Sequence, residues 1–168
     1  MKIAIISDTH DNIPNIYKAL NFIKKQGAEM IIHCGDICAA SVMLEIAKKF
    51  SGPAHFLLGN VVSDEKTLKK KSEEVKNALV YYKEPVKLRV DNKKIAITHY
   101  PDIARQLAES GHFSYVFYGH NHRPWIEKID DTYLINPGTL GGLFAKPTFA
   151  LWNTAEKEPR LILLEQLP

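Results

Sequence analysis

Five times along this chain a short apolar run stops abruptly on a glycine or a metal-capable polar residue. Residues 2–7 give way to Asp8-Thr9-His10, 30–33 to Gly35-Asp36, 54–58 to Gly59-Asn60, 94–98 to His99, and 115–118 to Gly119-His120-Asn121-His122. Runs this short, rich in Ile, Val and Phe, read as strands, and 2–7 reads as one buried on both faces. Between the first three lie segments with helical spacing. Asn12 can cap a helix whose first turn holds Pro14, with Ile16, Leu20 and Ile23 on one face up to Gly27, and residues 42–50 carry a second such pattern. Strands alternating with helices imply right-handed crossovers and a mainly parallel sheet.

The second half changes pattern. Residues 63–79 are rich in Lys and Glu, and their spacing predicts one amphipathic helix, capped by Ser63 or Asp64, with Leu68, Val75 and Leu79 inward. Residues 86–90 and 94–98 alternate about the turn pair Asp91-Asn92, which reads as a hairpin feeding a second sheet. A helix over 102–109 ends at Gly111, and short strands follow at 125–129, 133–135, 148–152 and 160–164. No repeat, low-complexity tract or linker interrupts the pattern, so a single domain over 1–168 is expected.

Composition narrows the function classes. The chain is 45% hydrophobic and 24% charged, close to an average globular protein. The excess of 22 basic over 19 acidic residues is concentrated at Lys66, Lys69, Lys70 and Lys71, too local for a nucleic-acid footprint, so a nuclease is disfavoured. No segment approaches the roughly 18 apolar residues that span a bilayer. With no signal peptide to read at the N-terminus, a cytoplasmic home and no membrane partner are expected. Cys34 and Cys38 have a spacing that suits neither a redox pair nor a zinc knuckle and are read as reduced and packed near a strand end.

In open α/β sheets ligands gather outside the carboxyl ends of strands, so the five polar endings can converge. Their residue types are those a pair of divalent cations needs. Asp8 and Asp36 supply carboxylates able to bridge, His10, His99, His120 and His122 supply imidazoles, and Asn60 an uncharged oxygen. A mixed N/O set disfavours Mg or Ca as the only metals. Asp8 and His10, two apart on an extended stretch, would point to one side, as would His120 and His122. Each fragment alone reads equally as a turn or a helix cap. Only the set, in this order and each after an apolar strand, argues for a site.

With these motifs the chain resembles the calcineurin-like metallophosphoesterase superfamily, in particular its small single-domain prokaryotic phosphodiesterases. The D-x-H, G-D, G-N, late His and G-H-x-H motifs occur in order across nearly the whole chain, and Ile135-Asn136-Pro137-Gly138-Thr139 is similar to a family turn. The resemblance implies a four-layer α/β/β/α sandwich of two mixed sheets flanked by helices. It implies one metal at Asp8, His10, Asp36 and His122 and a second at Asp36, Asn60, His99 and His120, with Asp36 bridging. Manganese is the expected ion, with Ni, Fe, Zn or Mg as alternatives. Asp36, Asn60 and His99 are the residues expected to carry catalysis, through attack of a metal-bridging hydroxide on a small phosphate ester.

The chain departs from the family at Val61-Val62, where many relatives place a His or Cys after G-N; neither valine can donate a proton. Esters with good leaving groups are therefore expected to be the better substrates. Tyr100-Pro101 stands where relatives show further polar residues. Of the other candidates, His33 reads as a packed strand-end residue or a partner orienting a ligand, Asn121 and Arg123 as solvated or phosphate-touching, and His55 and His112 as structural. The principal rival is a non-catalytic interaction module, since a retromer subunit of similar fold has altered ligands; here all seven positions can bind metal. Exposed sheet edges make a homodimer an expected partner arrangement.

Overall fold

The computed structural model describes residues 1–168. The first strand, β1 (Lys2–Ile6), alternates strictly: Ile3 and Ile5 point to one face, Ala4 and Ile6 to the other, and all four are buried. After α1 (Ile13–Lys25) come β2 (Met30–His33), α2 (Ala40–Lys49) and β3 (Ala54–Leu57), so the strands of this half run parallel, as the alternation implies. Asn12 caps α1 by accepting from the Asn15 N–H at 3.2 Å, and Gly27 leaves the helix at φ 69°.

The expected helix over 63–79 is the one element the structure overturns. The helix α3 covers only Glu65–Ser72, and the chain then turns into β4 (Ala78–Tyr81), which pairs in parallel with β3. Leu68 is buried as expected, but Leu79 lies 40% exposed on a strand rather than inward on a helix. Asn77 decides the change of direction: its amide approaches the carbonyls of Ala47, Phe50 and Gly52 at 2.7–3.0 Å, fixing the chain where the sheet edge begins.

The hairpin β5 (Val86–Val90) and β6 (Lys93–Ile97) turns through Asp91 and Asn92, both at positive φ, as a two-residue turn matched to strand twist requires. Then follow α4 (Pro101–Glu109), β7 (Tyr115–Phe117), β8 (Trp125–Ile129), β9 (Thr132–Asn136), β10 (Thr148–Asn153) and β11 (Arg160–Leu163). The sheets have strand orders β11-β10-β1-β2-β3-β4 and β5-β6-β7-β9-β8.

Strand alternation now explains the layers. Ile3, Ile5, Ile32, Leu57 and Trp152 of one sheet face Val86, Ile95, Ile97 and Phe117 of the other across the gap between them. Ala4, Ile6, Ile31 and Phe56 face α1, α2 and α3 on the outside, while Ala96, Val116 and Leu134 face α4. The result is the expected helix, sheet, sheet, helix stack. Its consequence for the site is positional: β1, β2 and β3 are neighbours in one sheet, β6 and β7 in the other, and their carboxyl ends open to the same side.

Candidate metal centre

The seven expected donors form one unbroken chain of neighbours. An Asp8 carboxylate oxygen lies 3.2 Å from His122 Nε2, which lies 3.2 Å from His10 Nε2. His10 Nε2 is 3.9 Å from Asp36 Oδ2, and the other oxygen of that carboxylate is 3.3 Å from His99 Nε2. Asn60 Oδ1 then sits 3.0 Å from both His99 Nε2 and His120 Nδ1. Asp36 is in the middle of the series, one oxygen toward each half. Asp8 also closes on Asp36 and His99, all three within 4.8 Å of one another.

The route by which these side chains meet differs from the sequence argument. Asp8, His10, His120 and His122 are not extended; each has positive φ, between 41° and 73°. The strands end before the donors begin, and Asp and His tolerate the left-handed region better than most residues. Asp8 and His10 still converge, with His122, within 4.8 Å, but the second pair separates. His120 and His122 go to opposite ends of the donor series, His120 to Asn60 and His122 to Asp8.

Glycines clear the space this crowding needs. At Gly59, φ is 78° and a Cβ would lie 2.4 Å from Asp36 Oδ1; at Gly35, one would lie 2.4 Å from His99 Nδ1. The backbone N–H groups of Asn60 and Val61 both donate to Asp36 Oδ1 at 2.9 Å. The Asp8 carboxylate accepts from His120 N–H at 3.1 Å.

Electrostatically the cluster asks for positive charge. Burial pushes the Asp36 carboxyl up, but hydrogen bonding and charge attraction from His99, with the Val61 and Asn60 N–H groups, bring it down to about 2. Burial alone would lower His99; Asp36 and then Asp8 outweigh it and raise the ring. Asp8 is held above the ordinary carboxyl value, chiefly by burial, against Ser7, His99 and His122. Such a buried carboxylate gains most from a cation set against it.

The donor set fits divalent ions on two further grounds. Ligand atoms roughly 2.1 Å from one ion at near-tetrahedral or octahedral angles are about 3.0–3.4 Å apart, and the contacts within each half of the series fall in that range. The ring tautomers are fixed as well. His99 Nδ1 bonds the Cys34 carbonyl and His122 Nδ1 the Leu143 carbonyl, each at 2.9 Å, and a carbonyl only accepts, so both rings turn an Nε2 lone pair inward.

Several neighbours were out of reach of sequence reading. Glu84 accepts from His99 N–H at 2.6 Å and from the Thr98 hydroxyl, fixing the start of the His99 loop. Cys38 Sγ lies 3.7 Å from His10 Nδ1, and burial pushes its thiol up to about 11. Thr139, at the end of the family-like turn, donates to the Asp8 carbonyl at 2.8 Å. His33 is wholly buried, bonded to Thr9 Oγ1 and the Gly35 N–H rather than to a donor of the series. His55 packs against Tyr81, and Asp64 is engaged as the cap of α3.

Five of the donors, His10, Asp36, Asn60, His120 and His122, line one face of an open cavity of about 420 Å³, completed by Asn121, Arg123, Phe144 and Ala145. Seven metal-capable side chains gathered beneath a small open cavity, on a four-layer sandwich, fit the class of metal-dependent phosphoesterases. The chain belongs to the calcineurin-like phosphoesterase superfamily, whose domain model matches residues 1–157. It is 33% identical over 168 residues to a phosphodiesterase of Methanocaldococcus jannaschii, covering 98% of this chain and 100% of that one. Its structure superposes on that of an archaeal phosphodiesterase with a TM-score of 0.89 at 32% identity, covering 97% and 99% of the two chains. Entamoeba histolytica Vps29, crystallised with zinc, shares the fold at TM-score 0.71 and 15% identity over 98% and 99% of the chains.

Proposed function

We propose that this protein is a phosphodiesterase that hydrolyses small phosphate esters with two divalent ions, one held by Asp8, His10, Asp36 and His122, the other by Asp36, Asn60, His99 and His120. The observation that carries the proposal is the central place of Asp36, with one carboxylate oxygen toward His10 and the other toward His99. The activity of the archaeal and M. jannaschii relatives supports the diester as substrate.

The residues divide the work. Asp8 and Asp36 set the charge of the centre and the backbone N–H groups of Asn60, Val61 and His120 hold them in place. His99 and His122, each with Nδ1 held by a backbone carbonyl, direct Nε2 toward the ions without needing to reorganise. The ions, when bound, supply Lewis acidity toward phosphoryl oxygens and a nucleophile at neutral pH. Val61, 41% exposed beside Asn60, carries no group able to protonate the departing oxygen.

Manganese is the ion we favour for this mixed donor set. No helix is long and apolar enough to cross a membrane, and two free cysteines suit a cytoplasmic setting. The proposal extends to a homodimer paired along a sheet edge, favoured by Trp125, 58% exposed on edge strand β8. A non-catalytic interaction role is the competing reading. Assay of a chromogenic phosphodiester with and without Mn or Ni, beside Asp36→Ala, separates them: turnover that needs metal and Asp36 is expected, and equal rates in both proteins would defeat the proposal.

A further inference from the structure

Among the exposed apolar side chains one stands apart. Phe144 is 98% exposed, where the others, Trp125 included, reach 58% at most. It is also the only aromatic side chain other than histidine lining the cavity over the donor series, its ring centroid 5.8 Å from that of His122 at an interplanar angle of 33°. A large apolar ring left in water beside a metal-binding imidazole has hydrophobic and stacking energy still to gain.

Its backbone strengthens the point. Phe144 has φ 62°, a region that a bulky aromatic rarely occupies, and such outliers persist only where the surroundings hold them. Here they do. Leu140 and Gly141 N–H groups bond the carbonyls of Ser7 and Asp8 at 2.9 Å. Asn12 and Asn15 side chains bond the carbonyls of Gly141 and Leu140 at 2.9 Å, and His122 Nδ1 bonds the carbonyl of Leu143. The loop is clamped by the site it overhangs, so the ring is presented on a fixed base.

Arg123 is also exposed and lines the same cavity. Its guanidinium has no ion pair or hydrogen bond within the protein, unlike that of Arg105, which is tied to Glu127. An unpaired guanidinium beside a phosphate site is suited to phosphate oxygens.

We propose that Phe144 and Arg123 select the substrate: Phe144 stacks on a planar aromatic group carried by the ester, and Arg123 pairs with an oxygen of the phosphate. The inference rests on the phosphoesterase reading and narrows it to aryl or nucleoside esters. Stacking of this kind is sequence-tolerant, so it recognises the flat face rather than one base.

Binding to the Mn-loaded protein, measured by calorimetry, tests the pair without requiring turnover. AMP is compared with ribose 5-phosphate, and phenyl phosphate with methyl phosphate; the first pair reads a nucleobase, the second a simple aryl group. The aromatic member of at least one pair is expected to bind roughly tenfold more tightly, an advantage lost in Phe144→Ala and kept in Phe144→Trp. Arg123→Ala is expected to weaken both members of a pair by a common factor, leaving their ratio unchanged. Equal affinities within both pairs in the wild-type protein, or a ratio untouched by Phe144→Ala, overturns the inference. Metal-dependent hydrolysis of a chromogenic diester by the same wild-type preparation is measured alongside; its loss would sink the phosphoesterase reading, which the affinity ratios do not address.

Discussion

At the scale of single residues, Gly119 and Gly111 make opposite demands. A Cβ on Gly119 would lie 2.1 Å from Ser7 Oγ and 2.6 Å from an Asp8 carboxylate oxygen, whereas one on Gly111 meets nothing within 4 Å but must accept φ 67°. Gly119→Ala is expected to displace Asp8 and lower kcat/KM on the order of 10²-fold. Gly111→Ala should cost about 1–2 kcal/mol of stability and leave turnover unchanged. Steady-state kinetics with thermal melting checks the pair; activity losses that simply track stability in both would contradict the assignment. Val61 gives a second expectation: Val61→His should raise turnover of alkyl diesters by about 10²-fold while p-nitrophenyl esters change little. At this scale the sequence was informative about donors, because Asp8, His10, Asp36, Asn60, His99, His120 and His122 announce themselves by type and by position after a strand. Glu84, Cys38 and Phe144 did not, since their roles depend on neighbours distant in the chain.

Elements show the same division. The cap at Asn12, the stop at Gly27 and the Asp91-Asn92 turn were readable because each is settled within a few residues. The run from Ser63 to Leu79 was not, because its Lys and Glu spacing favours a continuous helix and holds no Gly or Pro to break it. Tertiary contacts decide instead: β4 completes the edge beside β3, and Asn77 ties the turn to the end of α2 and the segment beyond it. Asn77→Ala is therefore expected to cost about 1–3 kcal/mol, read as a lower urea midpoint with unchanged slope. Leu68 is the one fully buried side chain of α3, and Leu68→Ala should cost about 2–4 kcal/mol. A loss under about 0.5 kcal/mol in both variants would mean that α3 and β4 are not docked as described.

For the whole molecule, the buried histidines set how the fold responds to acid. Burial lowers His33 from 6.5 to about 3, and lowers His55 as well. Below pH 6.5 the unfolded chain takes up a proton that folded His33 refuses until about pH 3, so its contribution is complete above 6.5 and is lost as pH falls through that window. One such group gives a slope of up to about 1.4 kcal/mol per pH unit. His33→Gln should flatten the stability curve between pH 6 and pH 4 by about one proton relative to wild type; parallel curves would show that His33 is not the group responsible. Strand and helix alternation was enough for a mainly parallel first sheet and a hairpin feeding a second, whereas the four-layer stack with helices outside each sheet was legible only through the family resemblance. What alternation does not supply is how close the two sets of strand ends come, and the dinuclear site depends on that closeness. Anomalous diffraction from crystals soaked in manganese tests it most directly. Two peaks per chain are expected, one among Asp8, His10, Asp36 and His122 and one among Asp36, Asn60, His99 and His120. A single peak, or none beside Asp36 in excess manganese, would contradict it.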